Sequence, residues 1–232
     1  MKIKALKVAA GVSAPLILAG SVHAGFTGIT TTSKPNAFGL LVVNVYANFD
    51  RPGTDAMVAV GKTPDSPLFI QVVGGTFYNH AFGGDQAPHH HLLELFPSLA
   101  YDTFVTIGMK VAGPTEDASV FTGTFGVSTL QDAGWAVTPN SPQGNPFNAV
   151  NSFPGDGRIL IGQFATADGT SIQGTMLLQF TSNGVAGVQA VVGFNSIPAP
   201  GALAMMGSAG LAGLFGTRRR RRQPRGNSSR RQ

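Results

Sequence analysis

ILIGQFATADGTSIQGTMLLQFTSNGVAGVQAVVGF, residues Ile159–Phe194, is the most regular stretch of the chain. In its middle Ile172, Gly174, Met176, Leu178 and Phe180 recur at every second position, with Gln173, Thr175 and Gln179 between them. Successive side chains of a strand point to opposite faces, so this is the pattern of a strand with one side on a core and the other wet. Ala167-Asp168-Gly169 and Ser182-Asn183-Gly184 carry turn chemistry. Together they predict an antiparallel meander of three strands, Ile159–Ala165, Ile172–Phe180 and Val185–Phe194.

Upstream, Leu40–Phe49 alternates in the same way, with Leu41, Val43, Val45, Ala47 and Phe49 on one face. The other face carries Leu40, Val42, Asn44, Tyr46 and Asn48, so only its beginning is expected to need cover; Arg51-Pro52-Gly53 then stops the strand. Phe26–Ser33, rich in Thr, reads as an edge strand or lead-in. Ala56–Gly61 and Leu68–Val73 are two more strands, and Gly74-Gly75 before Thr76-Phe77-Tyr78 predicts a tight hairpin over 68–78. Asp102–Val111 and Ser119–Val127 alternate again, with Val105, Ile107, Met109 and Val111, then Phe121, Phe125 and Val127, directed inward. Residues 79–99 are less regular, and Leu92–Phe96 fits one helical turn or a bent strand. Residues 130–158 read as a long loop rich in Pro, Asn and Gly. Short strands, Gly and Pro turns and almost no stretch at helical period predict an all-β fold, an antiparallel β-sandwich or barrel-like single domain over 25–196.

Both ends read as export and anchoring signals. Lys2, Lys4 and Lys7, an apolar core Val8–Gly20 and Ser21-Val22-His23-Ala24 have the three parts of a signal peptide, with a signal-peptidase cut expected after Ala24. At the other end Ile197-Pro198-Ala199-Pro200 leads into an apolar run, Gly201–Gly216, and then Arg218, Arg219, Arg220, Arg221 and Arg222. An exposed apolar run beside a charged tail is costly in water, whereas a membrane helix stopped by cytoplasmic arginines accounts for both. Its sixteen residues would rise only about 24 Å, against about 30 Å of hydrocarbon, so a span also draws on the prolines and Thr217. Residues 223–232 form a basic tail expected to be disordered.

The net charge of +5 belongs to these ends. Between Gly25 and Ile197 only Lys34, Arg51, Lys62, Lys110 and Arg158 face all eleven acids, a net of −6. An acidic domain offers no basic face to track phosphates, which excludes a nucleic-acid role for it. With no cysteine in the chain, disulfides, thiolate zinc sites and iron–sulfur clusters are excluded as well.

Pro198 and Pro200, the apolar helix and the arginine cluster resemble the PEP-CTERM sorting signal, here in a Pro-Ala-Pro form with Ala199 where the namesake motif has Glu. That resemblance implies recognition by an exosortase-type enzyme, a cut near the motif and delivery to the cell envelope or extracellular matrix. It covers about 35 residues and implies a destination without an activity. Phe96–Gly108, Gly134-Trp135 and Ile159–Phe180 resemble stretches of secreted β-rich bacterial proteins, which implies one domain and adds no chemistry.

Three places in the domain carry candidate chemistry. His89, His90 and His91, with His80, Asp85 and Glu94 nearby, have the residue types of a zinc or copper site. On an extended segment His89 and His91 share a face; on a helix His90 and Glu94 do. The expected ligand set is His80, His89, His91 and Glu94. Asp50, Asp55, Asp156 and Asp168 lie in turns rich in Gly and Pro and could supply the paired carboxylates of a glycosidase, but Asp168 has a duty in a hairpin turn and Asp50 in a strand-ending one. No Gly-x-Ser-x-Gly elbow, P-loop or His-Glu-x-x-His helix is present. Trp135, with Tyr78 and Tyr101, could form an aromatic platform for sugar rings or belong to the core. These features predict an exported, non-enzymatic envelope or matrix protein with a structural, adhesive or polysaccharide-binding role and no cofactor. The alternatives are a metal-binding envelope protein and an envelope hydrolase.

Overall fold

Alternation fixes which side of a strand is buried, but turn geometry and distant partners fix where the strand pairs. The computed structural model describes residues 25–50, 55–113, 117–148, 155–182 and 184–196. The expected signal peptide, sorting motif, apolar helix and arginine cluster lie outside the described residues. Among those described, the strands are β1 (Phe26–Pro35), β2 (Leu40–Phe49), β3 (Ala56–Gly61), β4 (Phe69–Val73), β5 (Phe104–Val105), β6 (Val120–Thr122), β7 (Thr129–Gln131), β8 (Gly134–Ala136), β9 (Arg158–Ala167), β10 (Ser171–Ser182) and β11 (Val185–Ser196).

They form two antiparallel sheets. The first has the order β1-β2-β9-β5. The second is built on β10, with β11 along one edge and β3 and β4 end to end along the other. Beyond them β8 pairs with β3 and β7 with β4, and β6 lies outermost against β8. Where the β3–β4 line breaks, Lys62 Nζ lies 2.5 Å from Asp132 Oδ1 at the matching break between β7 and β8. Val43, Val45, Ile161 and Phe164 from the first sheet share one apolar core with Ile70, Met176, Leu178 and Phe180 from the second. The fold is therefore mostly β, in an arrangement that fits a sandwich.

The alternation in β10 is as expected: Ile172, Met176, Leu178 and Phe180 are buried while Thr175 is exposed. The β10–β11 hairpin also forms, with Ile172 opposite Ser196 and Phe180 opposite Val188. The meander does not. β9 pairs with β2 and β5 in the first sheet, so residues 168–170 arch from one sheet to the other. The arch is held by Asp168 N–H donating to Gly39 O at 2.8 Å, distant in sequence, and by Thr170 Oγ1 bonding Thr166 Oγ1 at 2.9 Å.

The hairpin expected over 68–78 is absent for a similar reason. After Gly74, at φ +83°, the chain leaves the second sheet: Phe77 bridges Thr166 of β9, and Tyr78 N–H donates to Ala165 O at 2.7 Å. Over 102–111 the strand is only the two residues of β5: Gly108, at φ +86°, bends the chain, and every residue from Asp102 to Met109 is buried, so no single inward face exists. A Cβ at Gly108 would lie 2.2 Å from Gln143 O, so only glycine fits there. Over 119–127 only β6 is extended, Phe121 is half-buried, and Val127 is 74% exposed instead of inward. Among its described residues, the segment expected as a long loop holds the end of β7, β8 and a 3-10 turn at Pro142–Gly144.

Candidate functional site

The back of the first sheet, away from the shared core, is where irregular chain accumulates. Its polar residues suggested cover only at the start of β2, yet Tyr46 is buried with Leu160, Phe104, Ala87 and Met109 in a second small cluster. Residues 79–113 supply the cover. Gln163 of β9, fully buried, donates from Nε2 to Ala100 O at 3.0 Å and Asp102 O at 2.8 Å. Thr103 Oγ1 accepts from Ala165 N–H at 3.0 Å, so a side chain stands in for a missing ladder bond.

Asp102, 1% exposed, organises the next loop. Its Oδ1 accepts from His80 N–H at 2.7 Å, and Gly83 leaves room for Oδ2, which a Cβ there would meet at 1.8 Å. Burial pushes this carboxyl above the ordinary carboxylate range, against hydrogen bonds from the His80, Thr103 and Gly84 amides that pull it back.

The ambiguous segment is helical: α1 spans His90–Leu95 and a 3-10 turn follows at Pro97–Tyr101. None of α1 is buried, and Leu95 is 70% exposed. Between α1, residues 82–89 and residues 119–121 lies a cleft of about 660 Å³. Phe82, Gln86, Leu92 and Phe121 line it, with Asp85 and His89 among its polar groups. Phe82 is 57% exposed and stacks on Phe96, with ring centroids 4.3 Å apart and planes 23° from parallel. The Gln86 side chain donates to Ser119 O, joining the two walls.

The structure separates the expected metal ligands into two places. His80 Nδ1 accepts from Phe82 N–H at 3.1 Å and its Nε2 lies 2.9 Å from Ser98 Oγ, so both ring nitrogens are occupied in the Asp102 loop. His89, His90 and His91 instead form a compact group, with one ligand atom from each within 4.8 Å of the others. The helix start explains this, for His89 is the extended N-cap of α1 and its Nδ1 accepts from His91 N–H at 3.4 Å. Glu94 Oε2 lies 3.6 Å from His91 Nδ1, one helical turn on, rather than beside His90.

Trp135 is not a platform. It is 2% exposed in the shared core on β8, opposite Val60 and Phe121, and its Nε1–H donates to Thr106 O at 3.1 Å. A polar knot around it went unread in the sequence: Asp117 accepts from Thr106 Oγ1 at 2.7 Å and from Gln143 Nε2 at 2.5 Å, and Ser119 Oγ accepts from Ile107 N–H at 3.0 Å. Lone polar residues in loops give no sign that they will meet, so no local pattern could have found it. Tyr101 instead packs beside exposed Phe38, with centroids 5.6 Å apart. Asp156 is engaged by Arg158, which also lies over the Tyr46 ring at 5.0 Å. Comparison with family models, curated proteins and solved structures finds no match.

Proposed function

We propose that this is an exported, non-enzymatic protein of the cell envelope or extracellular matrix that binds polysaccharide through the Phe82–Phe121 cleft. On this reading the β-rich domain is flanked by a cleaved signal helix and a C-terminal apolar helix that crosses the membrane, transiently or permanently. Pro198, Ala199 and Pro200 are offered to an exosortase-type enzyme, and Arg218–Arg222 hold the orientation.

The observation that supports a ligand role most directly is Phe82. A large aromatic ring more than half exposed on a concave wall, backed by a second ring at 4.3 Å, gains little from folding and presents a flat apolar face of the kind sugar rings stack on. Asp85 and Gln86 in the same cleft provide hydrogen-bonding groups for hydroxyls.

Phe82→Ala tests the reading in the full chain. Binding to an array of envelope polysaccharides should fall while the melting temperature stays within about a degree or two, as for an exposed residue. No glycan retained by the unaltered protein would reject the saccharide role. The route is tested separately by cell fractionation with intact mass: loss of 1–24 and a cut near Pro198–Pro200 are expected, and a product still carrying Arg218–Arg222 would leave a plain anchor without sorting.

A further inference from the structure

We infer that His89, His90 and His91 form a binding site for a borderline divalent transition metal, zinc or copper, at the rim of the cleft. The inference is independent of whether the cleft takes a saccharide. Three adjacent histidines do not ordinarily converge, because successive residues of a helix point about 100° apart. Here the helix begins between the first and the second, and the extended N-cap (φ −72°, ψ 141°) turns the His89 ring back over the first turn. The ring centroids are 4.5 Å apart for His89 and His90 and 3.9 Å for His90 and His91.

Two further observations point to a ligand. His90 Nδ1 is buried and has no hydrogen-bond partner, and a buried ring nitrogen left unpaired is costly unless something else binds it. Gly113, at φ +102°, leaves space beside the rings: a Cβ there would lie 2.2 Å from His90 Nδ1 and 3.0 Å from His89 Nε2. Glu94, 3.6 Å from His91 Nδ1, can fix that ring so that its Nε2 faces the ion, the orienting role carboxylates have around metal-bound histidines. The planes of the three rings lie 35–37° apart, and His91 is the exposed member of the group. Imidazole donors without thiolates suit zinc and copper, and three protein ligands leave a coordination position open.

Calorimetric titration of the full chain with zinc chloride, and separately with copper chloride, tests the site in a preparation without a histidine tag. One ion per chain at micromolar affinity is expected. His91→Ala, at an exposed position, should remove this binding with the fold retained, and Glu94→Gln should weaken it about tenfold. A circular-dichroism melt of His90→Ala checks that any loss there is not unfolding. Absence of binding by either metal, or binding that persists unchanged in His91→Ala, overturns the assignment.

Discussion

Between the two sheets and behind the first sheet, the same strands bury two different kinds of surface. The shared core is apolar and continuous, filled from both sides by alternate residues of long strands. The back of the first sheet is covered by irregular chain, held over a small cluster by Gln163, Thr103 and Asp102. The first surface needs only residues of the right character at period two. The second needs particular polar atoms to meet over large sequence separations, and all the exposed features of the candidate site hang from it.

Four substitutions would sharpen or break that contrast. Trp135→Ala should be the most damaging, costing about 3–5 kcal/mol and leaving Thr106 O without its donor; urea denaturation giving a loss below about 1 kcal/mol would mean the shared core does not dominate. Behind the sheet, Met109→Ala should sit near the lower end of the cavity range, about 2 kcal/mol, because an irregular segment can settle into the space. Thr103→Val keeps the shape but strands the Ala165 amide, and about 1–3 kcal/mol should be lost; an unchanged denaturation midpoint would show that apolar contact alone seats the cover. Leu95→Gln, on the exposed side of α1, should change stability by less than about 0.5 kcal/mol, and a larger loss would mean α1 is packed after all.

Asp102 gives the contrast a pH signature. Its carboxyl is raised in the fold above the ordinary value of 3.8, so folding favours the protonated form. Its contribution to stability is therefore full below that value and is lost as pH rises through the higher folded one. Replacing it by Asn should flatten this part of a stability-against-pH curve measured by denaturant midpoints. An identical acid limb in Asp102→Asn would show that the group does not couple folding to protons.

The core-facing sides of β2 and β10 and the β10–β11 hairpin were legible because alternation and a Gly-containing turn are local signals. Pairing was less so. Nothing within Ala167-Asp168-Gly169-Thr170 distinguishes a hairpin from an arch, since what anchors it is the Gly39 carbonyl far upstream. Asp102–Met109 misled in the opposite way: cover on both sides buries consecutive residues, and the pattern of one strand face ceases to mean anything. The histidines were visible as residue types, but which of them gather depended on where α1 starts. His80 was lost to the Asp102 loop, and Trp135 to the core, through partners that no spacing rule names.

The arch at 168–170 also bears on the order in which the chain can fold. β1–β2 and β10–β11 can close locally, but they belong to different sheets. β2 has its second partner only when Leu40 meets Ala167, with β3 to β8 lying between them in sequence. A chain emerging from its N-terminus therefore holds the edge of β2 open through most of its synthesis, and contacts of that range place it among the slow folders. The first sheet is begun first and finished late.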